Sequence, residues 1–275
     1  FINVPLWFYY MARLKEKLET KTKSPNKPKV IGVILAYNVA KMLPRALERI
    51  QSIPKGLLDD LIVMDDGSKD GTYEVAKKLG LKAFRHVPNR GYGGNIKAGI
   101  KKALEMGADY IVEIHGDGAQ FNPISIKYAM PYMQEGKAQL ILGSRFQKKG
   151  QALKNGMPIV RFLANRGLSF FDRLVLGLKL TEFHTGFRIY GRNLLEKVPY
   201  DANTNDYLFS FQIIAQAAYY KMPVREVPVE ADYHADHTSH SIKGASWYAI
   251  RSFGVLGQFM LAKAHIAHNK VFKRL

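Results

Sequence analysis

The feature that most constrains this chain is a regular alternation of short apolar runs and helical patterns, which begins at Val30. The apolar runs predict strands near residues 30–36, 61–65, 83–86, 110–114 and 140–142. The stretches between them predict helices at about residues 40–50, 71–79, 93–105 and 124–134. Such alternation is typical of α/β proteins, in which helices cover both faces of a mainly parallel sheet.

The pattern changes after Gly143, where a polar Gly/Lys loop precedes a long helical stretch at 158–177. A short strand at 187–190, a helix at 207–220 and a strand at 224–231 follow, and they indicate a second functional half. We therefore divide the chain into four parts: an amphipathic linker segment (1–29), a first half (30–143) and a second half (144–240) of one domain, and a basic amphipathic tail (241–275).

The tail carries a stripe of apolar side chains at helical spacing: Trp247, Ile250, Phe253, Leu256, Phe259 and Met260. Such a stripe either packs on the protein core or lies in a membrane interface, and the sequence leaves both interpretations open. The longest uncharged run, residues 207–220, is shorter than the roughly 20 apolar residues that a spanning helix needs. We therefore expect any membrane contact, including that of the aromatic cluster at residues 7–10, to be peripheral.

Charge and cysteine content limit the classes of partner and chemistry. The chain has 41 Lys and Arg against 23 Asp and Glu, a net charge of +18, which indicates nucleic acid, an anionic membrane surface or phosphorylated substrates. It has no Cys, which excludes a disulfide scaffold, a thiolate zinc site and a Cys nucleophile. Any metal must therefore have oxygen or nitrogen ligands.

Polar residues follow each of the first four predicted strands. They are Tyr37-Asn38, Asp65-Asp66-Gly67-Ser68, Asn89-Arg90-Gly91 and His115-Gly116-Asp117. The Asp-Asp-Gly-Ser run alone is equally typical of a turn with a helix N-cap. Four such ends in register predict a ligand site, because ligands of parallel α/β sheets bind at the carboxyl ends of the strands.

Asp117 is the candidate metal ligand, with His115 and Gln120 as nearby donors. One carboxylate and two neutral ligands suit Mg²⁺ or Mn²⁺, which keeps water and completes its shell with substrate phosphates. A metal bound in this way is typical of an enzyme whose leaving group is a nucleoside diphosphate.

The glycine-rich segment 89–95 differs from a dinucleotide-binding fingerprint. The third glycine of that fingerprint would fall on Ile96, and the segment follows the third strand rather than the first. We therefore reject an oxidoreductase. A glycine-rich helix start still predicts backbone N–H groups that bind an anion.

Several segments occur in a fixed order between residues 30 and 240. They are Ala36-Tyr37-Asn38, residues 64–72 around Asp65-Asp66, residues 89–94, His115-Gly116-Asp117-Gly118-Ala119-Gln120, Gly143-Ser144-Arg145-Phe146 and His184-Thr185-Gly186-Phe187-Arg188. This ordered set resembles the family 2 glycosyltransferases with the GT-A fold, especially the dolichyl- and polyprenyl-phosphate mannose synthase type.

The resemblance implies a GT-A, Rossmann-like fold, in which residues 30–143 form the nucleotide-sugar half and residues 144–240 form the acceptor half. It also implies a set of site residues. It implies that the nucleotide sugar is bound by Ala36, Tyr37, Asn38, Asp66, Gly91, Gly94, Asp117 and Arg145. Within that set, Asp66 would contact the base and Arg145 would neutralise phosphate charge. Asp117 and Gln120 would bind the divalent metal.

The chain also departs from the family pattern. Val39 stands where the family usually has Glu, His115 stands where the first carboxylate of its D-x-D lies, and Ala119 resembles an insertion before Gln120. Near the C-terminal end, His234 and Ser239-His240 stand where the family often has a basic residue followed by Ser-Lys.

Two further candidates keep alternative interpretations. The first is a set of four histidines: His184, His234, His237 and His240. They are either ordinary core or surface residues or ligands of metal or diphosphate, and the last three lie in a predicted loop over the site. Asp206, in a loop that enters the helix at 207–220, is either a helix N-cap or a general base for the acceptor.

These observations predict an inverting, metal-dependent hexosyltransferase that uses a GDP- or UDP-hexose and transfers the sugar to polyprenyl phosphate. A phosphate acceptor is ionised at neutral pH and needs no general base, whereas the alternative acceptor, a saccharide or glycolipid hydroxyl, needs one. We predict a cytoplasmic enzyme that is peripheral on the cytoplasmic face of a membrane. The alternative from another class, a nucleic-acid-binding module, explains the charge but not the polar strand ends.

Overall fold

The computed structural model describes residues 27–118, 122–231 and 242–274. The aromatic cluster at residues 7–10 and most of the predicted linker lie outside the described residues. Within the described residues the strands are β1 Val30–Ala36, β2 Asp60–Asp65, β3 Lys82–Arg85, β4 Tyr110–His115, β5 Leu140–Ser144, β6 Arg188–Gly191 and β7 Val224–Pro228. The helices are α1 Leu43–Gln51, α2 Thr72–Lys78, α3 Gly91–Glu105, α4 Ile126–Gln134, α5 Gln151–Lys154, α6 Ile159–Leu176, α7 Arg192–Lys197, α8 Phe209–Tyr219 and α9 Ile242–Lys263.

The strands form one sheet in the order β3-β2-β1-β4-β6-β5-β7. The β1, β2, β3 and β4 strands pair in parallel, and so do β5 and β7, whereas β6 is antiparallel to both β4 and β5. This mainly parallel sheet with helices on its faces confirms the predicted α/β class. The antiparallel insertion of β6 was not part of the prediction.

The central strand β1 is buried over its whole length, as expected for a strand covered by helices on both faces. Its side chains alternate between two cores: Ile31 and Val33 belong to the core that contains α3, and Val30 and Ile34 to the one that contains α1 and α4. Gly99 has no side chain, which allows the α3 helix to pack closely on β1. A Cβ at this position would lie only 2.5 Å from a methyl group of Val33. The register of the strand ends is thereby fixed from both faces.

The boundary that we predicted between the two halves, at residues 143 and 144, falls inside β5. This strand pairs with β6 and β7, and both of these strands follow the predicted boundary. The two predicted halves therefore share a single sheet.

The apolar stripe of the tail is divided between two environments. Leu256 and Phe259 are buried in the core, whereas Trp247, Ile250 and Phe253 are exposed. Helix α9 is thus apolar on two sides rather than simply amphipathic. After it, Phe272 returns to the core and is fully buried.

The exposed side of α9 adjoins an exposed apolar side of α6. The rings of Phe171 and Phe253 meet at 6.0 Å, and Phe170 contacts Phe171 at 5.6 Å. We call this surface the α6–α9 apolar face; it consists of Ile159, Val160, Leu163, Phe170, Phe171, Leu174, Trp247, Ile250, Phe253, Met260 and Leu261. None of the described helices has the length and apolar character that crossing a bilayer requires.

Candidate active site

The polar strand ends leave the sheet side by side. In the parallel register Ala36 pairs with Asp65, and Leu35 pairs with His115. The segments that follow β1, β2 and β4 therefore lie at one edge of the sheet, where the sequence predicts the ligand site.

Asp66, the predicted contact to the base, is buried at this edge. Its Oδ1 accepts the backbone N–H of Arg90 at 2.7 Å and lies 2.5 Å from Nε2 of His86. Its own N–H donates to the carbonyl of Ala36 at 2.9 Å. Asp66 thus joins the ends of β1 and β2 to the glycine-rich segment, and its contact with a base stays a prediction.

Asn38 links the loops that follow β1 and β2 by two hydrogen bonds. Its N–H donates to Oγ of Ser68 at 2.8 Å, and its Oδ1 accepts the N–H of Lys69 at 2.9 Å. Asn38 has a positive φ of 52°, a conformation that asparagine tolerates better than most residues. The preceding Tyr37 is half exposed, so its ring is accessible to a ligand.

Asp117 lies in a tight turn directly after β4, between two glycines. A Cβ at Gly116 would lie 2.7 Å from the carbonyl oxygen of Leu35, and one at Gly118 would lie 2.7 Å from the Cα of Ala46. Gly118 also has a φ of +64°. The glycines therefore let this turn press against β1 and α1, which fixes the position of the carboxylate between them.

His115 is held by the buried carboxylate of Glu113, two residues before it on β4. Its Nε2 lies 3.4 Å from Oε1 of Glu113 and 3.3 Å from the carbonyl of Gly186. Burial lowers the pKa of His115, but the hydrogen bond and the charge of Glu113 outweigh it and raise the pKa above its ordinary value. The raised pKa favours the protonated form of the His115 imidazole, which has no lone pair for a metal. Metal ligation by His115 stays a prediction.

The single carboxylate of Asp117 suits a hard divalent cation whose coordination is completed by substrate. In the part of the chain that the structure describes, no three His, Asp or Glu side chains form a metal-binding group. Gln120 and the adjacent Ala119 lie outside the described residues. A carboxylate that shares its cation with diphosphate oxygens and water is a usual arrangement for Mg²⁺ or Mn²⁺.

The glycine-rich segment corrects our expectation of an anion site. The N–H groups of Gly93 and Gly94 donate to the carbonyl of Asn205, at 2.7 and 3.3 Å. A Cβ at Gly91 would lie 2.6 Å from that same oxygen, and one at Gly93 would lie 2.4 Å from the carbonyl of Thr204. The glycines allow the 203–207 segment to dock on the start of α3, and their N–H groups bind protein rather than phosphate.

Arg145, the predicted phosphate contact, is buried in an ion pair with Glu182. Its backbone N–H donates to Oε2 of Glu182 at 2.7 Å, and its Nε donates to Oε1 at 2.8 Å. The Glu182 carboxylate thus compensates the guanidinium charge. A role of Arg145 on phosphate stays a prediction.

Asp206 is engaged with its own helix and with α9. Its Oδ1 accepts the N–H of Leu208 at 3.0 Å and the hydroxyl of Thr204 at 2.8 Å, and its Oδ2 pairs with Arg251. Burial raises the pKa of Asp206, but these hydrogen bonds and the Arg251 charge outweigh it and lower the pKa. The N-cap residue of α8 is Leu208, so Asp206 instead closes the turn that leads into the helix, and this geometry favours a structural role over that of a general base.

His184 joins three elements of the second half. Its Nε2 lies 2.8 Å from Oδ2 of the buried Asp172 on α6, and its Nδ1 lies 3.2 Å from the hydroxyl of Tyr248 on α9. Its ring also stacks on Phe211 of α8 at 5.4 Å. His184 is partly buried, and these contacts favour a structural role, while His234, His237 and His240 lie outside the described residues.

The site contains a buried polar cluster that the sequence analysis missed. Glu113 is fully buried, and its carboxylate accepts the hydroxyls of Tyr92 and Tyr190, the latter at 2.5 Å. The buried guanidinium of Arg188 lies 3.8 Å from the same carboxylate. A single acidic residue within the otherwise apolar run at 110–114 is the signal that indicates such a cluster, because a buried carboxylate needs partners.

Comparison with known proteins identifies the family. The family described as glycosyl transferase family 2 matches residues 33–199, more than half of the chain. The chain belongs to glycosyl transferase family 2. Residues 33–199 contain the last four residues of β1, all of β2 to β6 and most of the candidate site.

Two relatives of this family 2 glycosyltransferase carry names that state an activity. The UDP-N-acetylglucosamine–dolichyl-phosphate N-acetylglucosaminyltransferase of Methanococcus voltae is 30% identical over 73% of this chain and 84% of its own length. The undecaprenyl-phosphate mannosyltransferase of Micrococcus luteus is 27% identical over 86% of this chain and 99% of its own length.

A solved structure confirms the GT-A fold of the chain. The glucosyl-3-phosphoglycerate synthase of Mycobacterium tuberculosis, crystallised with Mn²⁺, UDP and phosphoglyceric acid, superimposes with a TM-score of 0.62. The match covers 90% of this chain and 82% of that one, at 17% sequence identity. Family and fold thus confirm the prediction of a glycosyltransferase.

Proposed function

We propose that this enzyme transfers a hexose from a nucleoside diphosphate sugar to polyprenyl phosphate, with inversion at the anomeric carbon. The observation that carries the choice of acceptor is the state of Asp206. Its carboxylate is bound by Arg251 and by the N–H of Leu208, and its pKa is lowered, so it is a poor general base. A phosphate acceptor needs no base, because its oxygen is already ionised at neutral pH.

The names of two relatives support the same acceptor class. The Methanococcus voltae relative is named for dolichyl phosphate and the Micrococcus luteus relative for undecaprenyl phosphate. Both names describe polyprenyl phosphates. The sugar differs between them, so these relatives leave the donor sugar open.

In the proposed reaction the acceptor oxygen attacks the anomeric carbon from the face opposite the leaving nucleoside diphosphate. Asp117 would hold Mg²⁺ or Mn²⁺ against that diphosphate, and the bound ion supplies positive charge to the leaving group. The fixed turn at Gly116 and Gly118 positions this carboxylate before substrate binds. The other end of the donor would extend along the sheet edge towards Tyr37 and Asp66.

The α6–α9 apolar face supports attachment to a membrane, where a polyprenyl phosphate resides. Its exposed aromatic and aliphatic side chains lie on α6, which also carries Asp172 of the acceptor half, and on α9, which also carries Tyr248 and Arg251. Exposed arginines of α6, Arg161 and Arg173 among them, accompany the apolar side chains. A basic protein of charge +18 fits an anionic leaflet such as the cytoplasmic one, where we place the enzyme.

The test of this proposal is a transfer assay with the full chain. Purified enzyme receives GDP- and UDP-hexoses with and without Mn²⁺, and either a polyprenyl phosphate in vesicles or a free saccharide as acceptor. We expect metal-dependent formation of a polyprenyl phosphate hexose with one of these donors. Transfer to the saccharide alone would select the hydroxyl-acceptor alternative, and salt-sensitive RNA binding without any transfer would select the nucleic-acid alternative.

A further inference from the structure

The 203–207 segment of the acceptor half is clamped onto the start of α3. Besides the Gly93 and Gly94 hydrogen bonds to Asn205, Nζ of Lys97 donates to Oδ1 of Asn205 at 2.9 Å and to the carbonyl of Asp201 at 3.1 Å. Burial lowers the pKa of Lys97, which shows how closely this segment covers the ammonium. The position of Tyr207, at the end of the segment, is therefore set by the nucleotide-sugar half.

Tyr207 stacks on Tyr92, the residue between two glycines of that half. Their ring centroids lie 4.8 Å apart with an angle of 23° between the planes. The Tyr92 hydroxyl donates to the buried Glu113 and lies 3.1 Å from Oγ of Ser210, so the position of the Tyr92 ring is fixed. Tyr207 nevertheless remains 49% exposed, an unusual state for a ring so firmly supported.

The Tyr92–Tyr207 stack lies beside the end of β4. Asp66 follows β2 and Asp117 follows β4 at the same edge of the sheet. The Tyr92 ring is 6.1 Å from the His115 ring at the end of β4, so the stack begins where the metal-binding turn begins.

We propose that the exposed part of Tyr207 binds the transferred hexose, whose C–H face packs against the aromatic ring. This inference rests on the proposed function and adds the residue that recognises the sugar rather than the nucleotide. A nucleotide sugar that extends from Asp66 past Asp117 would bring its sugar to this ring. The flat apolar surface of the ring matches the apolar C–H face of a hexose.

The test compares a nucleotide sugar with its own nucleoside diphosphate. Calorimetric titration in Mn²⁺ gives the Kd of both ligands for wild type, Tyr207→Ala, Tyr207→Phe and the matched control Tyr128→Ala, an exposed tyrosine on α4. We expect Tyr207→Ala to weaken nucleotide-sugar binding by about tenfold and to leave diphosphate binding unchanged. Tyr207→Phe keeps the ring and should bind both ligands as the wild type does, as should the control.

The other outcomes separate a failure of this inference from a failure of the proposed function. Equal loss of both ligands in Tyr207→Ala, or loss of neither, would overturn the role of Tyr207 while the proposed function stands. A wild-type chain that binds no nucleotide sugar would overturn the proposed function and this inference together. Thermal unfolding checks that Tyr207→Ala folds; if it does not, Tyr207→Leu, which is apolar without a flat ring, should show the same selective loss.

Discussion

Asp117 is the residue on which metal-dependent binding depends. We expect Asp117→Ala to abolish the Mn²⁺-dependent part of nucleotide-sugar binding and to reduce turnover at least a hundredfold, because Asp117 is the predicted metal ligand and no group of three His, Asp or Glu side chains among the described residues offers another metal site. Calorimetry with and without Mn²⁺ measures the first effect, and a transfer assay measures the second.

The control for this variant is Glu135→Ala, which removes an exposed carboxylate ahead of β5, at the opposite end of the sheet. Both variants should unfold within a few degrees of the wild type. If Asp117→Ala retains metal-dependent binding, the metal assignment is wrong.

Asp206 separates the two classes of acceptor. Asparagine in its place still accepts the N–H of Leu208 but cannot take a proton. With a phosphate acceptor we expect Asp206→Asn to retain turnover within roughly tenfold, whereas a hydroxyl acceptor should lose the ~10²–10⁴ of general-base catalysis. Steady-state rates at saturating donor distinguish the two results.

The stability of the same variant provides an independent readout. A lowered pKa in the folded state means that the charged Asp206 stabilises the fold above its unfolded pKa, and that this contribution is lost as the pH falls through the folded value. Asp206→Asn should therefore unfold at a lower temperature than wild type at pH 7, and the difference should narrow in acid. A constant difference would show that the Arg251 pair contributes nothing.

Residue identities in the site were easier to predict than residue partners. The positions of Asp66 and Asp117 at strand ends follow from a local pattern, and the sheet register places both segments at the predicted edge. The pairing of Arg145 with Glu182 joins residues 37 positions apart, on either side of helices α5 and α6. No local rule connects such residues, so the sequence showed the charge of Arg145 without the carboxylate that compensates it.

At the scale of elements, the contact between α3 and the 203–207 segment depends on the absence of a side chain at Gly93. We expect Gly93→Ala to destabilise the protein by about 1–3 kcal/mol, since its Cβ would meet the backbone oxygen of Thr204 at 2.4 Å and neither group can move freely. Urea unfolding gives the loss in stability. The same variant should weaken nucleotide-sugar binding, because the segment carries Tyr207.

The control is Gly167→Ala on α6, where an added Cβ meets nothing within 4 Å. Alanine is the better helix former, so this substitution should stabilise the protein by roughly 0.5–1 kcal/mol. Equal effects of the two substitutions would contradict the steric explanation.

Elements with strong periodicity were predicted well. The five strands of the first half have bounds within two residues of those predicted, since apolar runs bounded by turn residues are a local signal. Helices α5 and α7 were missed, because four and six residues are too few to show a helical period. The direction of β6 was also missed, since it is set by the path of the chain through α6 rather than by residues 188–191 themselves.

At the scale of the whole molecule, charge and the α6–α9 apolar face should act together on membranes. We expect the protein to float with vesicles that contain anionic lipid and to detach as salt rises from about 50 to 500 mM, because each engaged Lys or Arg contributes about 1 kcal/mol that salt screens. Equal flotation with neutral vesicles would contradict this expectation.

Substitutions that introduce one charge into the α6–α9 apolar face test how much this face contributes to vesicle binding. Phe170→Glu or Ile250→Glu should reduce vesicle binding roughly tenfold or more, since each removes a side chain whose burial is worth about 1.5–3 kcal/mol. Tyr128→Glu, on an exposed site of α4 away from the face, is the matched control and should float normally. No difference between these variants would assign the binding to other parts of the chain.

The sheet order also determines when this protein can fold during its synthesis. Strands β1 to β4 find their partners among themselves, but β5 pairs with β6 and β7 and has no partner until residue 188 has been made. A nascent chain that has just emerged past β5 therefore exposes both an orphan strand and the open edge of β4, which are sites for aggregation. We infer that ribosome-bound chains of this length depend most on chaperones, and that translation through α6 is the vulnerable interval.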